Sequence, residues 1–121
     1  MDIDIRQDFG VAMGQHLIFK SKLRSFLYGG SFASAPTRDP DLCSLGIWIA
    51  ERRRGPWGYV PEWAELDRLH RLLHREANQL MDMALQGFEE QARAGLTDLL
   101  PTIDRIPRLL QTIQNQLRTP G

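Results

Sequence analysis

Two histidines lie one helical turn apart in residues 61–87, which the sequence predicts to form a long helix. The segment PEWAELDRLHRLLHREANQLMDMALQG begins with proline and ends with glycine, the usual order at helix starts and stops. His70 and His74 fall within its apolar stripe, and residues four apart share a helix face. Both imidazoles are therefore expected to point into the core. Buried imidazoles either hydrogen-bond separately to neighbours or share a ligand, and this pair alone favours separate hydrogen bonds.

The third histidine and the single cysteine also fall in predicted helices. Apolar residues recur at helical spacing over residues 8–28, and His16 lies on their face. Residues 41–51 are predicted to form a short helix with Asp41 as its N-cap, which places Cys43 in the first turn. Unpaired N–H groups at a helix start stabilise negative charge and favour a thiolate. A cysteine considered alone is nevertheless more often an inert, buried side chain.

Together these side chains offer the ligands of a zinc site. Three imidazoles and one thiolate suit tetrahedral zinc, with bonds of about 2.0–2.1 Å to nitrogen and about 2.3 Å to sulfur. His16, Cys43, His70 and His74 use every histidine and cysteine in the chain. Their spacing is not that of a zinc finger, because they are spread over three predicted helices. The helices must therefore pack before the site forms, or as it forms.

Two segments between the predicted helices are expected to be irregular. Residues 29–40, GGSFASAPTRDP, are rich in glycine and proline and predict a loop. Residues 52–60 predict a turn, and Arg52–Arg54 in it are interpreted as a solvated edge rather than a phosphate site, because the formal net charge is zero. Trp57 and Tyr59 are expected to cover the end of the bundle.

The last part of the chain is interrupted by two prolines. Residues 88–100 predict another helix, and a C-terminal helix at about 102–118 is expected to be kinked or restarted at Pro101, and again near Pro107. Seven apolar residues nevertheless keep alternating intervals of three and four across both prolines: Leu96, Leu99, Ile103, Ile106, Leu110, Ile113 and Leu117. Such a heptad-like seam exceeds what one small bundle obviously buries, which predicts a homodimer on the long helices.

Composition and charge limit the classes of function. With 121 residues, 42% hydrophobic and 25% charged, the chain is expected to be a single domain over residues 1–121. Zero formal net charge predicts no nucleic-acid or anionic-membrane partner. No apolar run approaches the roughly 20 residues of a membrane span. The acidic N-terminus and the single cysteine predict neither a signal peptide nor internal disulfides, hence a cytoplasmic location.

Three of these segments resemble the chemoreceptor zinc-binding family. His16 opens HLIFKSKLRSFL, Cys43 begins CSLGIW in the family pattern C-x-L-G-x-W, and HRLLH supplies H-x-x-x-H. The resemblance covers about residues 9–100. It implies an all-α, four-helix-type bundle, with an extra short helix that carries the cysteine ligand. It also implies zinc bound by the three histidines and the cysteine, and a homodimer.

The function implied by this resemblance is a cytoplasmic sensory module. Such modules signal to a chemoreceptor or a diguanylate cyclase, and respond to zinc availability or to hypochlorous acid acting on the zinc-bound cysteine. The alternative is a zinc-stabilised helical bundle that dimerises without sensing. An enzyme is not expected, because four protein ligands leave zinc no open position. A non-haem iron site is disfavoured, because no glutamate precedes a histidine by three residues.

Overall fold

The computed structural model describes residues 4–30 and 35–118 of the chain. Within these ranges there are four helices and no strand: α1 (Ile5–Leu27), α2 (Ser44–Arg54), α3 (Glu62–Leu85) and α4 (Glu89–Arg118). The all-α bundle prediction is confirmed. The two predicted C-terminal helices are a single helix, so the short helix α2 is one of the four. None of the described helices is long and apolar enough to cross a membrane.

The first helix begins and ends at residues that suit its boundaries. Asp4 is the N-cap, and its carboxylate accepts a hydrogen bond from the backbone N–H of Gln7 at 3.3 Å. This cap starts α1 three residues before the predicted start. After Leu27 the chain leaves the helix at Gly29, whose φ of 105° suits a residue without a Cβ.

The core lies between the three long helices. Helix α3 packs most extensively against α4, and α1 packs on both. One stripe of α3 is buried: Trp63, Leu66, Leu69, His70, Leu73, His74, Ala77, Leu80 and Met81. Both histidines predicted to face inward therefore lie in the core.

The apolar seam of α4 is buried within the single chain. The members from Leu96 to Ile113 are at most 6% exposed, and Leu117 packs on the same core. The reason given from sequence for a dimer interface, that one bundle cannot bury this seam, is therefore wrong. Both prolines lie inside α4, so the helix does not restart at Pro101, and a kink at either proline stays a prediction.

The arginine run belongs to α2 and is not a turn. Arg52 binds the Asp8 carboxylate through Nε at 2.8 Å and through Nη2 at 2.9 Å, and the Nε1–H of Trp48 donates to the same carboxylate at 3.0 Å. Arg53 lies 3.6 Å from Asp67 of α3. The solvated edge predicted for the run is therefore wrong for Arg52, which ties the end of α2 to the start of α1.

Aromatic rings fill the space around this tie. The ring of Phe9 meets Trp48 edge-on with centroids 5.0 Å apart, and Trp48 lies 5.4 Å from Trp63. Trp57 packs 5.8 Å from Phe9 and accepts the Nε1–H of Trp63 on its carbonyl at 2.8 Å. Trp57 thus covers this end of the bundle as predicted, whereas Tyr59 is 72% exposed and does not.

Candidate metal centre

The two histidines of α3 present facing nitrogens in the core. The Nε2 atoms of His70 and His74 are 3.2 Å apart, and both side chains are almost completely buried. Two nitrogens on one tetrahedral zinc, each bonded at about 2.0–2.1 Å, would be about 3.3 Å apart. The i, i+4 spacing thus sets these atoms at the separation that a shared metal requires.

The cysteine lies at the start of α2, and this helix begins two residues later than predicted. Cys43 is the N-cap, with extended backbone, and its side chain makes no capping hydrogen bond. The predicted N-cap, Asp41, instead pairs with Arg71 of α3 at 2.7 Å. This pair holds the segment before α2 against α3.

Three of the four predicted ligands converge on one point. Among the described residues, Cys43, His70 and His74 each offer a ligand atom, and these atoms lie within 4.8 Å of one another. All three side chains are buried. Sulfur and imidazole nitrogen are donors that zinc favours. The residues present therefore fit the metal that the motifs predict.

A backbone carbonyl sets the orientation of His74. The carbonyl of Arg38 can only accept, so the Nδ1 of His74 must carry the hydrogen that it donates at 3.1 Å. The lone pair of the neutral ring is therefore on Nε2, the atom that faces His70. Asn78 donates to the same carbonyl at 3.1 Å. The loop before α2 thus supplies the outer hydrogen bond that metal-binding histidines usually make.

His16 is buried but lies outside the group of three. It is 1% exposed, and its Nε2 is 2.8 Å from the carbonyl of Ile103 on α4. Its Nδ1 is buried and has no hydrogen-bond partner among the described residues. A positive charge on His16 would lower the pKa of His70, so the two rings are within electrostatic reach. His16 is therefore buried, within electrostatic reach of His70, and has one nitrogen without a partner among the described residues.

Gly46, the glycine of the motif C-x-L-G-x-W, allows α2 to pack close to the His70 ring. A Cβ on Gly46 would overlap the carbonyl oxygen of Pro40 and would lie 2.9 Å from Cε1 of His70. The glycine therefore lets α2 approach both the preceding loop and the His70 ring. Its sequence signal is a glycine inside a short apolar helix, where a better helix former is expected. The role of the Arg38 carbonyl could not be predicted from sequence, because every residue type has the same backbone carbonyl.

Burial keeps the three imidazoles neutral in the metal-free protein. Burial lowers the pKa of His70 to about 3, with a further contribution from the neighbouring His74. Burial also lowers the pKa of His16 and of His74, and in both it outweighs a hydrogen bond to a backbone carbonyl that acts in the opposite direction. Neutral imidazoles are the form that binds metal.

These shifts predict how the stability of the metal-free protein depends on pH. An unfolded histidine gains a proton near pH 6.5, whereas folded His70 does so only near pH 3. The unfolded state therefore binds more protons between these values, so the free energy of unfolding is greatest above pH 6.5 and falls as the pH drops toward 3. From pH 7.5 to pH 5.0 the expected loss from His70 alone is about 2 kcal/mol.

Urea unfolding of the metal-free protein at these two pH values measures the loss. His70→Gln is the matched control, because it removes one titrating group and should reduce the difference between the two pH values. Equal stability at pH 7.5 and pH 5.0 would contradict the assignment of neutral, buried imidazoles.

A small cavity lies against the cysteine. It has a volume of about 100 Å³ and is lined in part by Gln15, Ile18 and Phe19 of α1, by Pro36, and by Cys43 itself. Cys43 is 8% exposed, more than any of the three histidines. The cavity therefore borders the residue that carries the sulfur.

Comparison with known proteins supplies independent information about this site. Residues 16–81 match the family model described as the chemoreceptor zinc-binding domain, which is more than half of the 121-residue chain. The matched segment contains all four predicted ligands. A search of curated proteins and a search of solved structures found no match.

Proposed function

The chain belongs to the chemoreceptor zinc-binding domain family, and on that premise we propose that it is a zinc-binding sensory module. The observation that carries the proposal is the convergence of Cys43, His70 and His74 within 4.8 Å in a buried site. Zinc would be held by these three residues and by His16. A bound zinc ion would supply positive charge that stabilises the thiolate and links α2 to α3.

His16 is proposed as the fourth ligand through Nδ1. Support comes from the buried, unpartnered state of that atom among the described residues and from the matching first histidine of the family motif. A buried imidazole nitrogen without a partner is costly, and a metal bond would compensate it. Four protein ligands close the coordination of zinc, which favours a sensory or structural role over catalysis.

The response is proposed to pass through α2. Cys43 is the only sulfur ligand available and lies at the N-cap of this helix. Hypochlorous acid would convert its thiolate to a sulfenic acid with release of chloride, and this oxidation, or loss of zinc, would remove the link that the metal makes between this end of α2 and α3. The other end stays attached through Arg52 and Asp8. The short helix would therefore change position while the three long helices keep their packing.

A homodimer and a signalling partner, such as a chemoreceptor or a diguanylate cyclase in the cytoplasm, complete the proposal. The α4 seam is not proposed as the interface, because it is buried within the chain. Apolar side chains on and near α1 and α2 are exposed and could contribute to another interface: Val11, Ile18, Leu42 and Ile47. Sedimentation at micromolar concentration tests this arrangement, and a monomer would contradict it.

The experiment that tests the function compares zinc-bound, metal-free and oxidised protein. Elemental analysis should find one zinc per chain, and iron in its place would refute the site. Hydrogen exchange should be faster in Ser44–Arg54 after zinc removal, with little change in α3 and α4. One equivalent of hypochlorous acid should produce the same pattern, and mass spectrometry should locate the oxidation at Cys43.

Cys43→Ser is the control for the oxidant, because it keeps a small polar side chain and should abolish the oxidant-dependent change. Oxidation of Met13, Met81 or Met83 before Cys43 would reject oxidant sensing and leave a response to zinc level. Identical exchange in α2 with and without zinc would favour the structural alternative, in which the metal only stabilises the bundle.

A further inference from the structure

One buried carbonyl in α4 lacks its usual donor within the helix. In an α-helix the carbonyl of residue i accepts the N–H of residue i+4. The carbonyl of Ile103 would therefore pair with residue 107, which is proline and has no N–H. Ile103 is completely buried, so water does not replace the missing donor. A buried acceptor in this position requires a partner from elsewhere in the fold.

That partner is His16. Its Nε2 lies 2.8 Å from the Ile103 carbonyl oxygen across the contact between α1 and α4. The ring of a proline also crowds the carbonyl four residues earlier and tilts it away from the helix axis. Pro107 thus both removes the competing N–H and makes the Ile103 carbonyl available to a side chain on another helix.

The hydrogen bond determines which nitrogen of His16 has a free lone pair. A carbonyl only accepts, so Nε2 carries the hydrogen. In the neutral ring, the lone pair is then on Nδ1, which is buried and has no partner among the described residues. We propose that Pro107 is a positioning residue for the metal site: it frees the Ile103 carbonyl to hold His16 in the tautomer that presents Nδ1 to the metal. This inference rests on the proposed zinc-binding function.

His74 provides an internal comparison. It also donates to a backbone carbonyl, that of Arg38, but through Nδ1 at 3.1 Å, and so presents Nε2. His16 therefore donates through Nε2 and His74 through Nδ1, although each ring binds a main-chain carbonyl. The acceptor for His74 lies in a loop, where carbonyls are commonly free. The acceptor for His16 lies in the middle of a helix, where the N–H four residues later normally occupies the carbonyl, and Pro107 leaves it without that donor.

Pro107→Ala tests the role of the proline. Alanine restores an N–H that competes with His16 for the Ile103 carbonyl, so zinc should bind about tenfold more weakly, at the lower end of the range for loss of such an outer hydrogen bond. The melting temperature of the metal-free protein should not decrease, because alanine is the better helix former. A purely structural role would predict parallel changes in stability and affinity.

Pro101→Ala is the matched control. Pro101 lies in the same helix and is exposed. Because it has no N–H, the carbonyl that lacks a donor is that of Thr97 and not that of Ile103. Its replacement should leave zinc affinity at the wild-type value. Competition with a chromophoric chelator measures the affinity of all three proteins. Wild-type affinity in Pro107→Ala, or an equal loss in Pro101→Ala, would overturn the inference.

The tautomer itself can be read without zinc. The chain contains three histidines, so a long-range ¹H–¹⁵N spectrum of the metal-free protein reports each ring separately. His16 should carry its hydrogen on Nε2 in the wild type and should lose this preference in Pro107→Ala. A hydrogen on Nδ1 of His16 in the wild type would refute the inference even if Pro107→Ala does not fold. Failure of the wild type to bind zinc, with the Nε2 tautomer present, would instead refute the proposed function.

Discussion

Replacing Cys43 by serine, or His74 by alanine, is expected to lower zinc affinity by about two orders of magnitude. Structural zinc sites have apparent binding free energies of about 10–16 kcal/mol, which is about 3 kcal/mol for each of four ligands. Each 1.4 kcal/mol corresponds to about tenfold in affinity. Both side chains are buried within the group of three, so water has little access to replace a missing ligand. Chelator competition at constant pH measures the change.

Asn78→Ala is the matched control for His74→Ala. Asn78 and His74 donate to the same Arg38 carbonyl, but only the histidine faces the site. This variant loses only a hydrogen bond to the carbonyl that orients His74. Its zinc affinity should therefore stay within about tenfold of the wild type. His16→Ala tests whether zinc has four protein ligands or three. A decrease in zinc affinity as large as that of His74→Ala supports four ligands. Full affinity in Cys43→Ser and His74→Ala would refute the site.

Gly46→Ala is expected to unfold or displace the short helix α2. The added Cβ would overlap the Pro40 carbonyl oxygen, a backbone atom that cannot rotate away, and would lie 2.9 Å from the His70 ring. Overpacking typically costs about 1–3 kcal/mol, and a clash with backbone belongs at the upper end. For a chain of this size we expect a decrease in melting temperature of about 10 °C or more. Zinc affinity should fall with it, because α2 carries Cys43.

Gly14→Ala is the control for the same chemical change. Gly14 lies inside α1, and a Cβ there would meet no atom within 4 Å. Alanine is favoured over glycine in a helix interior, so this variant should be more stable by about 0.5–1 kcal/mol. Thermal melting of both variants gives the comparison. A stabilised Gly46→Ala protein with full zinc affinity would contradict the close approach of α2 to α3.

The continuity of α4 illustrates where local propensity misled the sequence interpretation. Two prolines in a helix interior cost about 3 kcal/mol each, which favours a break. Six buried leucines and isoleucines of the seam together stabilise by about 9–18 kcal/mol, which is more than the two prolines cost. The intervals of three and four across both prolines contained this information, because a seam keeps its period only where the helix continues.

The position of α2 illustrates a boundary that sequence could not decide. Asp41 and Cys43 are both compatible with a helix start, and aspartate is the stronger N-cap by propensity. The ion pair between Asp41 and Arg71 uses that carboxylate instead, and the helix begins two residues later. Arg52 was misassigned for the same reason, since its partner Asp8 is 44 residues away in sequence.

The sequence by itself determined the donor atoms of the candidate site, the buried faces that carry the histidines, and the all-α class. These follow from residue type and helical period, which are local properties. Only the tertiary structure decided which imidazoles meet and which nitrogen each ring presents. Those outcomes depend on main-chain carbonyls of Arg38 and Ile103 and on the clearance at Gly46. Carbonyl oxygens are the same in every residue, so chain packing decides which of them lies within reach of an imidazole.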